Sequence, residues 1–196
     1  MATRNQLNPP PLRKITDFKS KLTGGGARSN LFEVVLSFPD IAPADTNVLD
    51  KSRFLIKTAA LPASNIAPLD VAFRGRVLKV AGDRTFETWS VTIINDTDFA
   101  IRSAMENWMN KINRISDNTG ATDPASYQAD AFVYHLDRDG TTLRAYHFYD
   151  IFPTQVAQIP LDYGTPGIQE FTAEFQISWW EAIKGDSPAA GGIDIN

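Results

Sequence analysis

Residues 87–94 admit one kind of backbone. Trp89, Val91 and Ile93 alternate with Thr88, Ser90 and Thr92. A helix would scatter those apolar side chains around its circumference, whereas a strand gathers them on one face, so the period of two predicts a half-buried strand. The pattern returns towards both ends of the chain. Phe32, Val34, Leu36 and Phe38 alternate with Glu33, Val35 and Ser37 until Pro39 ends the run. Phe171, Ala173, Phe175, Ile177 and Trp179 alternate with Glu170, Thr172, Glu174, Gln176 and Ser178, which predicts a last strand with one greasy face and one small, polar, acidic face. The chain is therefore mainly β, built from sheets with a packed side and a wet side.

Residues 73–80 also read as a strand, but Arg74, Arg76 and Lys79 are interleaved with Phe73, Val77, Leu78 and Val80. Neither face is then cleanly apolar or cleanly wet, which suits a partner surface. Gly82-Asp83 reads as the turn between this strand and the one at Trp89. A loop containing Pro and Asp over residues 39–52 leads to a second strand over 53–60, stopped by Pro62. One amphipathic helix is expected over residues 98–115, where Ile101, Met105, Trp108, Met109, Ile112 and Ile115 recur at three- and four-residue spacing and Arg102, Glu106, Asn110, Lys111 and Arg114 face away. Asp96, Thr97 and Asp98 supply its cap and negative first turn, and Asn118 and Gly120 its stop. A lone helix in a β-rich chain has to cover an open sheet edge or barrel mouth. Strands over 131–136 and 142–152 flank Asp137-Arg138-Asp139-Gly140, a hairpin turn by its Asp-Gly; the later ligands and closing Glu of a calcium loop are missing. Phe152-Pro153 and Ile159-Pro160 break the chain before the last strand.

With 196 residues, 43% hydrophobic and 11% aromatic, there is ample material for one sizeable core. That domain is expected over residues 30–181, after a flexible N-terminal arm over 1–29 and before a short tail over 182–196. The arm holds Pro9-Pro10-Pro11 and Gly24-Gly25-Gly26, with Arg13, Lys14, Lys19 and Lys21 against Asp17. It reads as a basic segment lying on an acidic neighbour or as a solvated tail. No apolar run approaches the roughly 18 residues that a spanning helix needs, and no signal-peptide core is visible at the N-terminus. Without cysteine there is no disulfide, thiol nucleophile or thiolate metal site. A net charge of −4 argues against a general nucleic-acid binder. His135 and His147 lie in hairpin strands with no Ser or second His at relay or metal spacing, and the scattered carboxylates nominate no acid/base pair. No catalytic, cofactor or metal site is expected, and an enzyme or stand-alone binding module is the remote reading.

The block Val71 to Phe86 with its Ala81-Gly82-Asp83-Arg84-Thr85-Phe86, the preceding Ala60-Leu61-Pro62-Ala63-Ser64, and Trp89-Ser90-Val91-Thr92 with Asn95-Asp96 resemble the tail tube proteins of contractile-tailed bacteriophages. Asn30-Leu31-Phe32-Glu33-Val34 is similar to that family's opening strand, and Phe152-Pro153-Thr154, Leu161-Asp162-Tyr163, Phe171 and Trp180-Glu181 to its closing part. Departures are the loop around Pro43 to Asp50, the Pro and Gly triplets of the arm, and the Trp179-Trp180 pair.

The resemblance implies an antiparallel β-sandwich or small barrel with one flanking helix. It implies hexameric rings stacked into a hollow tube within a contractile sheath, found in the virion and assembled in the host cytoplasm. Partners would be other copies of the chain, the sheath, baseplate, initiator and terminator proteins, and a tape measure protein and viral DNA held loosely in the lumen. A long hairpin and the arm would bridge rings. A tube initiator, a tailocin tube or a type VI secretion tube is the alternative. Phe73, Arg74, Arg76, Val77, Lys79 and Arg84 are the expected subunit contacts, because an Arg can meet a neighbour's carboxylate while its stem covers apolar surface. A conduit for DNA needs a polar wall that is not basic, since clustered Lys and Arg would bind phosphates and stall transit. Thr88, Ser90 and Thr92 with Glu170, Thr172, Glu174, Gln176 and Ser178 are the candidates for that wall; the alternative turns these faces outward to the sheath.

Overall fold

The computed structural model describes residues 13–164 and 166–186. The chain divides after Asn30 into two compact units. The Pro triplet and residues 187–196 of the expected tail lie outside the described residues. In the first unit, α1 (Ile15–Lys21) starts where the Asp17 carboxylate accepts the Lys14 N–H at 2.9 Å, and its apolar Ile15 and Phe18 are exposed. The arm, expected to be flexible, thus holds a short helix.

The second unit is an antiparallel β fold, as the alternation implies. Its strands are β1 (Phe32–Leu36), β2 (Ile56–Ala59), β3 (Ser64–Phe73), β4 (Arg76–Phe86), β5 (Trp89–Ile94), β6 (Ala129–Leu136), β7 (Thr142–Val156), β8 (Glu170–Gln176) and β9 (Trp179–Lys184). Seven of them form one bent sheet in the order β1-β6-β7-β8-β5-β2, with β9 also on β7. β7 is the shared strand. Its first part pairs with β6 and β9, and from Phe152 it pairs with β8. The bend has a local cause: between Phe148 and Ile151 β7 holds one residue more than β6 opposite, and Asp150 takes φ 55° there. The Asp130 carboxylate accepts the Asp150 N–H at 3.3 Å and meets His147 Nε2 at 2.9 Å, tying the bulge to β6. Pro153, expected to break the chain, is instead carried inside β7 just past this corner.

Folding the sheet over brings the apolar faces together. Trp89, Val91 and Ile93 of β5, Phe171, Ala173 and Phe175 of β8, and Val34 and Leu36 of β1 are all at most 2% exposed. Trp89 stacks on Phe148 at 4.8 Å and meets Phe175 at 5.4 Å. β1 and β2 end the strand order unpaired with each other, so the barrel is not closed.

The helices correct the sequence reading in number and bounds. α2 (Thr46–Leu55) occupies what read as a loop and the start of a strand, and it packs on β1, β2 and β5. Its signal was present: Asp45 stands at the N-cap position, and Val48 and Ser52, four apart, are the buried pair. The amphipathic helix α3 (Ala100–Ile112) is shorter than expected; Ile101, Met105 and Trp108 are buried, and Ile115 lies beyond its end. Phe99, at φ 53°, holds the N-cap position, and the Asp98 carboxylate accepts the Ala100 N–H at 3.0 Å. α4 (Pro124–Tyr127) supplies the Tyr127 carbonyl that accepts Trp108 Nε1–H at 2.7 Å. The expected closing strand is two strands, β8 and β9, and β9 continues to Lys184 with Ala182 buried, past the boundary expected at Glu181. The turn Asp137-Arg138-Asp139-Gly140 joins β6 to β7 as expected, with Asp139 accepting the Thr141 N–H and hydroxyl.

Candidate assembly surface and polar wall

β3 and β4 form a two-stranded sheet of their own. The turn lies at Arg74-Gly75, with φ 46° and 78°, and not at Gly82-Asp83. Two successive left-handed residues are what a two-residue hairpin connection requires, and glycine takes one of them without steric cost. Gly82-Asp83 is instead a bulge inside β4, where Pro68↔Ala81 and Ile66↔Arg84 leave one extra residue on β4. A side chain at position 82 would meet the Ala67 carbonyl oxygen at 2.6 Å, so the bulge needs glycine.

The register changes the reading of the two faces. Leu69↔Val80, Val71↔Leu78 and Phe73↔Arg76 share one face, while Pro68↔Ala81, Asp70↔Lys79 and Ala72↔Val77 share the other. The partner strand therefore turns a mixed pattern into one apolar face and one mixed face, the latter holding the Lys79–Asp70 ion pair at 2.6 Å. Leu69, Val71, Phe73, Leu78 and Val80 remain between 44% and 68% exposed. Of the expected contact residues, Phe73, Arg74 and Arg76 lie at the tip or on the apolar face, and Val77 and Lys79 on the mixed one; Arg84 lies beyond the bulge. Leu69 and Val71, not singled out in sequence, complete the apolar face; their signal was the strand-like run before Arg74. The ribbon is anchored at its base, where Phe86 meets Trp180 edge to face at 6.2 Å.

The expected wall residues come together on β5 and β8. Thr92↔Thr172 and Ser90↔Glu174 are direct pairs, Glu170 faces Ile94, and Gln176 follows Glu174 two residues on. Ser90, Thr92, Glu170, Thr172, Glu174 and Gln176 are all partly exposed, opposite the core face of the same strands. Thr88 and Ser178 fall in connections and not in strands. Lys57 of β2 contacts both carboxylate oxygens of Glu170, at 2.7 and 3.0 Å. This pair was not legible from the sequence, because residues 57 and 170 meet only across the sheet. Among the described residues the Glu174 carboxylate has no ion-pair partner. His135 and His147 pair with Arg144 and Phe132 respectively, so the alternation puts them on opposite faces of the β6–β7 pair. Among the described residues no group of three or more His, Cys, Asp or Glu could hold a metal ion, and no helix is long and apolar enough to cross a membrane.

Known proteins resemble this chain in sequence and in fold. Residues 27–182 match the family model described as phage tail tube protein. The chain is 30% identical over 161 residues to tail tube protein gp19 of Enterobacteria phage T4, covering 81% of this chain and 93% of that one. It is 27% identical over 176 residues to the tail tube protein of Serratia phage KSP90, covering 88% and 98%. In fold it resembles a chain of the anti-feeding prophage baseplate, with a TM-score of 0.61 at 13% identity over 81% of this chain and 96% of that one. A chain of the sheath/tube terminator of an extracellular contractile injection system matches with a TM-score of 0.59 at 12% identity, covering 81% and 96%. The chain belongs to the phage tail tube protein family.

Proposed function

We propose that this protein assembles into hexameric rings that stack into the inner tube of a contractile tail, with the β3–β4 ribbon as a subunit contact. The observation that carries this reading is the apolar ribbon face. Five aliphatic and aromatic side chains in solvent on a free-standing hairpin are a liability unless another copy covers them. Arg74 and Arg76 at the tip then meet carboxylates of a neighbour. The face of Ser90, Thr92, Thr172, Glu174 and Gln176 lines the channel, along which DNA and a tape measure protein pass without tight binding. Lys57 lies against Glu170 and leaves Glu174 as the free carboxylate of that wall. Sheath, baseplate, initiator and terminator proteins surround the tube, which forms in the host cytoplasm and functions in the virion as a structural part, without catalysis. The identity to phage tubes, 27–30%, favours a phage tail over the extracellular injection systems, at 12–16%.

Negative-stain microscopy of the purified protein tests this. Rings or tubes with a central hole are expected. Charge reversal of Arg74 and Arg76 leaves a folded monomer that does not assemble. A persistent monomer at high concentration with an initiator present sinks the reading. For the wall, Glu174→Lys is expected to leave tubes intact and slow genome delivery, with the defect easing as salt rises.

A further inference from the structure

The two outward faces of the folded sheet differ in chemistry. Where the β5–β8 pair shows hydroxyls and carboxylates, the opposite layer shows rings. Tyr134 and Phe132 of β6 stack with centroids 6.1 Å apart, Phe132 and His147 of β7 at 4.1 Å, and Tyr149 and Trp179 of β9 at 3.8 Å, while His147 and Tyr149 meet at 3.7 Å with their planes tilted by 38°. None of these rings belongs to the core cluster. They lie on the solvent side of β6, β7 and β9, and Trp179 is 41% exposed. Two carboxylates are set among them: Asp130, its side chain 42% exposed, against His147, and beneath the rings the buried Glu181, which accepts the Tyr149 hydroxyl. By register the same face carries Ala145 and Ile183 and no Lys or Arg.

We infer that this ring-and-carboxylate face is the receiving surface for the β3–β4 ribbon of a second copy of the chain. The inference rests on the self-assembly reading above and names the site that reading lacks. Charge complementarity selects the occupant. The ribbon tip ends in Arg74 and Arg76, and a guanidinium is the group that both stacks on an aromatic face and pairs with a carboxylate. Arg74 already lies over the Phe73 ring at 5.3 Å, so this geometry is available to the tip. Behind the arginines the aliphatic face of Leu69, Val71, Leu78 and Val80 offers the rings apolar cover. The sizes agree: three adjacent strands present about 10 Å of width and a two-stranded ribbon about 5 Å. A competing apolar groove runs between α3 and the end of β7, lined by Met109, Ile112, Ile115, Phe152 and Val156. Its one carboxylate, Glu106, is already paired with the Arg102 guanidinium at 2.8 Å, whereas Asp130 and Glu181 are held by a histidine ring nitrogen, an amide and a hydroxyl, with no Lys or Arg on either among the described residues.

Because the chain has no cysteine, thiols can be placed one at a time. Full-length Leu78→Cys is mixed with Tyr134→Cys, and separately Phe73→Cys with Trp179→Cys; the mixtures are assembled, oxidised and run on non-reducing gels. A disulfide needs its Cα atoms within about 7 Å. Disulfide-linked dimers are expected in the mixed tubes of at least one pair, well above the level of either variant alone. Mixed tubes that form normally and give no such dimer at either pair overturn the inference and leave self-assembly standing. A Leu78→Cys protein that cross-links as strongly alone as in the mixture also overturns it, by showing ribbons paired with each other. A thiol at position 179 that reacts freely with maleimide in bare tubes and is shielded only when sheath is added gives the face to the sheath instead. Wild-type protein that makes no tubes under any of these conditions removes the self-assembly reading and this inference together.

Discussion

The β5–β8 pair and the β3–β4 ribbon are made of the same parts and end in opposite environments. In the first, Trp89↔Phe175, Val91↔Ala173 and Ile93↔Phe171 face the core, and none is more than 2% exposed. In the second, Leu69↔Val80 and Val71↔Leu78 are paired just as regularly, yet each is at least 44% exposed. Cross-strand apolar pairing therefore does not establish burial; a second layer does. The β5–β8 pair has β7, the α3 helix and the opposite layer over it, whereas among the described residues the ribbon's apolar face stays open to solvent. Two strands without a covering layer are marginal in water. The body is where folding free energy is concentrated, and in the assembly proposed above the ribbon is the source of association free energy.

The sharpest way to break this comparison is to remove a core ring. Trp89→Ala is expected to lower the unfolding free energy by about 3–5 kcal/mol, the usual loss for a large buried aromatic, measured by denaturant titration of dilute monomer. A loss below 1 kcal/mol would mean the body is not the stabilising half. Next in size is Gly75→Ala, which forces a Cβ into φ 78° at the turn. Roughly 1 kcal/mol is expected, confined to the ribbon, so that β3 and β4 amides exchange about fivefold faster while β5 and β8 amides do not change. Uniform acceleration would show that ribbon and body unfold as one unit.

Lys51 tests the body's helical cover by pH. Its ammonium contacts Asp96 at 2.6 Å and Asp98 at 2.5 Å, holding α2 to the start of α3. The hydrogen bonds from Lys51 hold both carboxyls below their ordinary 3.8, and those to Asp96 and Asp98 raise Lys51 above 10.5. Carboxyls with lowered values stabilise above 3.8, and their contribution is lost as pH falls through the lowered values; the Lys contribution holds below 10.5 and is lost as pH rises through the raised one. Lys51→Met is therefore expected to melt slightly below wild type at neutral pH, with the gap closing in acid below the ordinary carboxyl range. A gap that widens there contradicts the pairing. The smallest change in stability goes with the largest change in assembly: Val71→Asp with Leu78→Asp is expected to shift monomer stability by no more than about 0.5 kcal/mol and to abolish tubes by microscopy.

Much of this is legible in the sequence. The alternation at Trp89, Val91 and Ile93 and at Phe171, Ala173 and Phe175 marks strands whose apolar faces are buried, and the spacing of Ile101, Met105 and Trp108 marks the face α3 buries. The helix over Thr46–Leu55 was obscured by the prolines and aspartates around it, although the Asp45 cap position was visible. At Gly82-Asp83 turn chemistry and bulge chemistry are the same, since both ask for a residue without a side chain in the way.

Period, caps and turn residues are local, and they determined which segments are strands and helix and which side of β5 and β8 is dry. Which strands lie beside each other is not local. Pairing with β3 set Leu78 and Val80 of β4 beside Val71 and Leu69 on one face that ends in Arg76, the bulge at Asp150 carried β7 from one layer to the other past Pro153, and the meetings of Lys57 with Glu170 and of Tyr149 with Glu181 followed from the strand order. Those contacts join residues far apart in the chain, and only the pairing of distant strands brings them within reach. A sequence states what each segment prefers; the tertiary structure decides what covers it.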